Sequence, residues 1–422
     1  MKILIKNVRI FDPASGIDEE GDVFIKNGIV SKKKEETRNI IEGKGLYLFP
    51  AFIDIHTHIR EPGGEDIENF ESASKAAVAG GYSTIFMMPN TEPPIDNDGM
   101  VRFVVKRARD VGLVKIYPVG AATIGRRGER LTDMRAMIEC GCIGFSDDGS
   151  PVKNPRILRR ILEYLKGTGI KFIEHPEDTE LSSDGSMNEG SLSNKLGVPG
   201  IPWVSEASVV IRDILIAEYL SSPIHFAHIS TEASLDLIQF GRKRGVKITF
   251  EVTPHHLLLD EDNVKITDSN FKMNPPLRSK RDRKALIKAL KKGFVNAIAT
   301  DHAPHPLYKK ELEFSLAPFG VIGLETAFST LYTEFVRKGV IGLNELIEYM
   351  SVKPAGIFDL KTGMVRDGAP ADFVLIDLKK KWKITEDKFH SLSRNSPFLG
   401  WDVYGRVVYT IVDGKVVYKE GD

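Results

Sequence analysis

Between residues 52 and 301 the chain alternates short apolar runs of strand-forming residues with longer amphipathic stretches of helical period, eight times in succession. The runs are 52–58, 83–90, 115–122, 142–148, 171–175, 224–228, 247–255 and 296–301. Helical patterns lie between them at 68–79, 100–111, 131–140, 155–166, 206–220, 233–244 and 281–292. Strand and helix repeating this way around one core predict a parallel (β/α)8 barrel of the TIM type, with a doubly wound open sheet as the structural alternative. Polar side chains favour the barrel. Nearly every run ends in a residue able to coordinate or hydrogen-bond: His56 and His58, Asn90, Asp148, His175, His228, His255 and Asp301. In a barrel the carboxyl ends of the strands form one face, so these distant residues converge there.

The chain ends read differently. Residues 2–8 alternate in hydropathy, 23–26 follow, and Asn27-Gly28 is a hairpin signal; 371–378 and 407–412 match them, with Asp413-Gly414 turning the chain into 415–419. Two β-rich ends around a long middle predict a small β-sandwich domain built from both termini. The expected division is 1–50 for its first part, 51–362 for the barrel and 363–422 for its second part, in keeping with the two to three domains expected of 422 residues.

Charge narrows the partner. Lys plus Arg and Asp plus Glu both number 58, so no excess of positive charge drives binding to nucleic acid or to a membrane surface, and a small molecule is expected instead. The basic stretch 278–292 lacks interleaved aromatic residues and reads as a solvated helix face. Lys2, Lys6 and Arg9 interrupt any signal-peptide pattern, and no run approaches the roughly 18 apolar residues of a membrane span, so a cytoplasmic location is expected. Cys140 and Cys142 are too few and too close together for a disulfide framework or a thiolate metal site.

His56-Thr57-His58 places two imidazoles at i and i+2, a spacing that projects both to one face of a strand. Alone this is weak. With His175, His228 and Asp301, each at a predicted strand end, it becomes four imidazoles and a carboxylate, a set that suits Zn²⁺, with Mn²⁺ or Co²⁺ as substitutes. Open coordination positions at such a site would activate water near neutral pH.

The segments HTHIREPGG, GGYSTIFMMPNTEPPID, FSDDGSPV, MNPPLR and ATDHAPH, in this order from residue 56 to 305, resemble the dihydroorotases of the amidohydrolase superfamily. The resemblance implies a zinc-dependent barrel, with one or two Zn²⁺ per chain, that reversibly closes N-carbamoyl-L-aspartate to L-dihydroorotate in pyrimidine synthesis. It implies that His56, His58 and Asp301 hold one metal and that His175 and His228 hold the other. Many superfamily members bridge the two metals with a carboxylated lysine; residues 142–150 contain none, and the resemblance gives that place to Asp148 of the DDG motif, leaving Asp147 as a turn residue. Asp301 is the implied general acid and base. Arg60 is the implied partner of the substrate carboxylate, with Asn90 and His305 beside it, and Asn274 with the backbone of 318–320 resembles the part that reads the ring amide.

His255 and His256 have no ligand role in this pattern and are expected to pack, while His302 should point away from Asp301. Pro176 is a departure from the family's pattern: it leaves His175 as a ligand but fixes the backbone beside it, which is expected to alter the surroundings of that metal. The long loop 306–320 is expected to close over the substrate. Competing readings are a hydantoinase or allantoinase, against which Arg60 argues, and a chain that only supports, or is active only with, aspartate transcarbamoylase. Homo-oligomers are compatible with each.

Overall fold

The computed structural model describes residues 1–33, 35–360 and 364–421. Each of the eight apolar runs coincides with a strand to within a few residues: Phe52–Thr57, Tyr82–Met87, Lys115–Gly120, Gly144–Phe145, Lys171–Glu174, Ile224–Phe226, Ile248–Val252 and Ala297–Ile298. They pair in parallel with their chain neighbours in a single order from first to eighth. The circuit closes through a parallel bridge between Thr57 and His302, where His58 N donates to His302 O at 2.9 Å. This is a TIM-type barrel, and the open-sheet alternative is set aside by that closure.

Helices fall in all seven predicted intervals: Phe70–Ala79, Asp98–Val111, Met134–Glu139, Pro155–Leu165, Val204–Leu220, Glu232–Lys243 and Lys280–Lys291. Their starts follow from capping chemistry. Asn69, Asn97, Asp133, Asn154, Thr231 and Ser279 each accept a hydrogen bond from a free backbone N–H of the first turn. The helix Pro155–Leu165 shows why these segments lie against the barrel: it buries Leu158, Ile161, Leu162 and Leu165, one apolar stripe at helical spacing, and leaves its arginines outside.

One run ends earlier than its sequence suggests. The seventh strand stops at Val252, and His255 and His256 lie on a short helix, Pro254–Leu258. Proline at the first helical position, capped by the Thr253 side chain, converts the end of the run from strand to helix.

The termini form one eight-stranded sheet outside the barrel. The strand Phe373–Lys383 pairs antiparallel with Tyr47–Pro50, joining the two ends of the chain. Both hairpin signals act as read: Asn27 and Gly28, and Asp413 and Gly414, all have positive φ, the backbone that a tight two-residue turn requires. The boundary expected between 362 and 363 lies outside the described residues. Lys115, at the start of the third barrel strand, ties sheet to barrel through Asp372 Oδ2 at 2.7 Å and Asp413 Oδ1 at 2.8 Å. Among the described residues no helix is long and apolar enough to cross a membrane.

The barrel interior is filled by Ile53, Ile55, Phe86, Met88, Val119, Ile173 and small alanines. Phe358 packs edge-on against Phe86, with ring centroids 4.7 Å apart. Its segment approaches from the amino end, where Ser351 Oγ donates to Ala51 O ahead of the first strand. One end of the barrel is thereby sealed with apolar groups, and function is confined to the other.

Candidate active site

The carboxyl ends of strands one, four, five, six and eight bring His56, His58, Asp148, His175, His228 and Asp301 together, all buried. Asp148 stands at the centre. Its Oδ1 lies 3.4 Å from His56 Nε2, 3.4 Å from His175 Nδ1 and 3.8 Å from His228 Nε2, and its Oδ2 lies 3.6 Å from His58 Nε2. Asp301 Oδ1 is 3.0 Å from His58 Nε2 and 3.7 Å from His56 Nε2. The group divides into two triads, His56–His58–Asp148 and Asp148–His175–His228, each with ligand atoms close enough to share one ion. Asp147 points elsewhere, accepting from the Thr123 N–H at 3.0 Å and from the Thr123 hydroxyl.

Two observations show that these residues suit a cation. His56 Nε2 and Asp148 Oδ1 are buried and have no hydrogen-bond partner among the described residues, an expensive state for a nitrogen and an oxygen unless lone pairs are directed at an ion. His175 Nδ1 and His228 Nε2 face each other at 2.9 Å with the same carboxylate beside both. Electrostatics agrees. Burial acts to raise the Asp148 carboxyl, but His56, His175 and His228 outweigh it and hold it well below the usual carboxylate range. Asp301 is likewise lowered, against burial, by its hydrogen bond to His58 and the charge of His56, and so is a carboxylate at neutral pH. The backbone is strained at the same place: His228 and Asp301 adopt φ of 31° and 49°, left-handed values that cost a non-glycine residue about 1–2 kcal/mol and tend to mark functional positions.

The remaining predicted residues surround one cavity of about 280 Å³ above the triads, lined by Arg60, Asn90, Asn274, His305, Phe319 and Gly320 with the metal-type ligands. Arg60 Nε donates to Pro304 O at 3.2 Å; among the described residues no carboxylate lies within ion-pair distance of its guanidinium, and burial lowers its pKa to about 10. Asn90 Oδ1 faces His58 Nδ1 at 2.8 Å, and His305 Nε2 donates to Phe319 O at 2.7 Å, with burial pushing the imidazole down to about 3. Asn274 Nδ2 donates to Glu177 Oε2 at 3.0 Å, and that same oxygen lies 3.1 Å from His175 Nε2.

Several partners of these residues escaped the sequence reading. Glu251 Oε1 lies 2.7 Å from His56 Nδ1, and its other oxygen faces His225 Nε2 at 3.3 Å, while His225 Nδ1 meets Thr249 Oγ1 at 2.8 Å. The signal was a polar alternation, Thr249 and Glu251, inside an apolar strand. Glu177 orients His175 in the same manner, and Asp54 accepts from His56 N and from the Thr300 N–H and hydroxyl, burial pushing its carboxyl up to about 7. His302 does point away, toward Glu68 at 3.4 Å and the backbone N–H of Gly323. His255 packs against His256, and burial lowers it to about 4.

Comparison with solved structures places the whole chain on a known architecture. It superposes on an L-hydantoinase from Arthrobacter aurescens with TM-score 0.88 at 26% identity, covering 100% of this chain and 96% of that one. A D-hydantoinase from Thermus sp. gives TM-score 0.84 at 25% identity with the same coverage. Barrel, chain-end sheet and paired ligand triads define a metal-dependent cyclic amidohydrolase. A Dihydro-orotase-like family model matches residues 45–234. Proteins named dihydroorotase from Geobacter metallireducens and Pelobacter propionicus are 45% and 44% identical over 424 residues, spanning 99% of this chain and 100% of each relative. The chain belongs to the dihydroorotase family.

Proposed function

We propose that this chain interconverts N-carbamoyl-L-aspartate and L-dihydroorotate, using Zn²⁺ held by His56, His58, Asp148 and Asp301 at one position and by Asp148, His175 and His228 at the other. When bound, the metal supplies Lewis acidity toward the ring amide carbonyl and lowers the pKa of water. The observation that supports the choice of substrate is the partly buried Arg60 guanidinium, which lines the cavity with no carboxylate among the described residues at ion-pair distance. A substrate carboxylate would supply the missing charge-assisted pair; a hydantoin, which has none at this place, would leave the desolvated cation uncompensated.

The chain's own residues then act in sequence. Arg60, with Asn90 and His305 beside it, seats the carboxylate, while Asn274 and the 318–320 backbone hold the ring amide. Asp301 begins as a carboxylate and is the general base. In ring opening, water adds to the amide carbonyl and its proton passes to Asp301; the C–N bond breaks and Asp301 returns the proton to the ring nitrogen. Ring closure runs the same path backwards, with Asp301 taking the proton from the ureido nitrogen as it attacks the carboxyl carbon and water leaves.

The same reading divides the chain at 1–50, 51–362 and 363–422 and places it in the cytoplasm. Its test is turnover of L-dihydroorotate by protein of measured zinc content, with hydantoin and allantoin as controls, with and without added aspartate transcarbamoylase. Metal-dependent turnover confined to dihydroorotate is expected. Preference for hydantoin would overturn the substrate, and activity only with the transcarbamoylase would show that a partner completes the site.

A further inference from the structure

Two buried lysines lie behind the cavity wall and take no part in the chemistry above. Lys310 is 6% exposed and Lys272 2% exposed, and among the described residues no carboxylate lies within ion-pair distance of either ammonium. They meet backbone carbonyls instead. Lys310 Nζ donates to Pro318 O at 3.1 Å, Gly320 O at 3.0 Å and Lys272 O at 3.3 Å. Lys272 Nζ donates to Phe314 O at 2.7 Å and Ser315 O at 2.9 Å and lies over the Phe319 ring, 4.5 Å from its centroid. The bracket is reciprocal, because Gly320 N donates back to Lys272 O at 3.0 Å. Gly320 O takes a second donor, Asn395 Nδ2, at 3.0 Å.

A charged lysine buried without an ion pair is unusual, since burial opposes its charge and two ammonium groups near each other oppose it further; for Lys310 the more distant Asp268 offsets this only in part. Much of the loop they hold is exposed: Leu307, Tyr308 and Leu316 are open to solvent, while Phe314 and Ala317 are buried. Its inner edge, by contrast, is part of the cavity, where Phe319 and Gly320 stand beside His305 and Asn274. The Lys310 ammonium bonds that inner edge directly, at Pro318 O and Gly320 O, and the Lys272 ammonium lies over the Phe319 ring while bonding the 314 and 315 carbonyls.

We infer that Lys310 and Lys272 are positioning residues for substrate recognition: the Lys310 ammonium fixes the peptides from Pro318 to Gly320 in the one shape that complements the substrate ring, and the Lys272 ammonium holds the Phe319 ring and the 314–315 carbonyls that precede them. The inference rests on the proposed function and deepens it, assigning the ring-reading wall to two residues that never touch substrate. It also recasts loop 306–320 as a segment whose wall is held in place while its exposed outer part is left free. A wall that binds ground state and transition state alike should affect KM more than kcat.

The test is steady-state kinetics of Lys310→Met and Lys272→Met, which keep most of each stem and remove the ammonium, against the parent chain with zinc per chain measured in each. A KM for dihydroorotate raised about tenfold in either variant, with kcat within about threefold and zinc content unchanged, is the expected result. A loss confined to kcat, or KM unaltered in both, overturns the inference while parental turnover upholds the functional reading. No turnover by the parent overturns that reading and this inference with it. Should both variants fail to fold, amide hydrogen exchange in the zinc-loaded parent decides: protection of the Phe319 and Gly320 amides equal to that of the barrel strands supports the bracket, and exchange as fast as that of 307–312 overturns it.

Discussion

The two ends of the barrel are made of opposite materials. At the amino end the Phe358 segment closes an interior filled by Ile53, Ile55 and Phe86. At the carboxyl end the same strands present four imidazoles and two carboxylates, leave His56 Nε2 and Asp148 Oδ1 unpartnered and hold His228 and Asp301 in left-handed backbone. Between them His56, Glu251, His225 and Thr249 form a descending polar chain that meets the floor where His225 lies 5.9 Å from the Phe358 ring. The contrast teaches that stability and chemistry are assigned to separate ends of one set of strands. Apolar packing at the floor offsets the desolvation and strain concentrated at the face.

If the two ends are separate, a change at the face removes activity without loosening the fold. Asp301→Asn keeps size and removes the proton carrier; kcat for dihydroorotate should fall by about 10⁴-fold. Thermal unfolding of the zinc-free protein should be no lower than the parent's, because a strained, charged position has been relieved. A variant that unfolds much earlier would mean that the face also carries stability. The converse change is Phe86→Ala, at a fully buried ring of the interior. It should cost about 3–5 kcal/mol in denaturant unfolding, the usual range for emptying such a site, while kcat of the folded protein stays within a few-fold.

Arg60→Met tests the face at the next level, recognition apart from chemistry. Loss of a charge-assisted pair to the substrate carboxylate should lower kcat/KM for dihydroorotate by about 10²-fold or more. Hydantoin turnover, however small in the parent, should not fall with it. Glu251→Gln enters the polar chain between the two ends. Glu251 is held at about 2 against burial by His56 and His225, so it is ionised at every working pH and fixes the orientation of the His56 ring. Its neutral replacement should weaken zinc binding about 10–100-fold in competition with a chelator, the usual effect of losing a carboxylate behind a ligating histidine.

Legibility in the sequence followed the same divide. Strand ends at the face announced themselves because a histidine or aspartate closing an apolar run has no packing reason to be there. His175, His228 and Asp301 were found that way. Glu251, Glu177 and Asp54 were missed because they act through a neighbour, and nothing in spacing records which ring nitrogen a carboxylate will face. The strand at Ile248–Val252 was read too long since hydropathy continues through Pro254 while the backbone, capped by Thr253, already turns into a helix. Lys272 and Lys310 were passed over for a plainer reason: a lysine reads as surface, and its burial against carbonyls depends on a loop whose path no periodicity sets.

Lys115 offers the smallest and most specific test, because it places a charge at the sealed end, where the comparison assigns only structural work. Its ammonium spans Asp372 and Asp413 of the chain-end sheet, and Asp372 is fully buried. Lys115→Met should destabilise the protein by about 2 kcal/mol at pH 7, the scale of a hydrogen bond to a buried charge, with kcat unchanged. Burial opposes the Lys115 charge, yet the two aspartates outweigh it and raise its pKa above the ordinary 10.5. A raised lysine pKa means that the folded state holds the proton more tightly than the unfolded chain does. Its contribution is therefore complete below about 10.5 and is lost as pH climbs through the higher folded value. The stability gap between parent and Lys115→Met, measured by denaturant unfolding from pH 7 upward, should stay level to about pH 10 and then shrink. A gap that closes already between pH 7 and 9 would show that the bridge is not what joins sheet to barrel, and a fall in kcat at pH 7 would show that the sealed end is not separate from the chemistry.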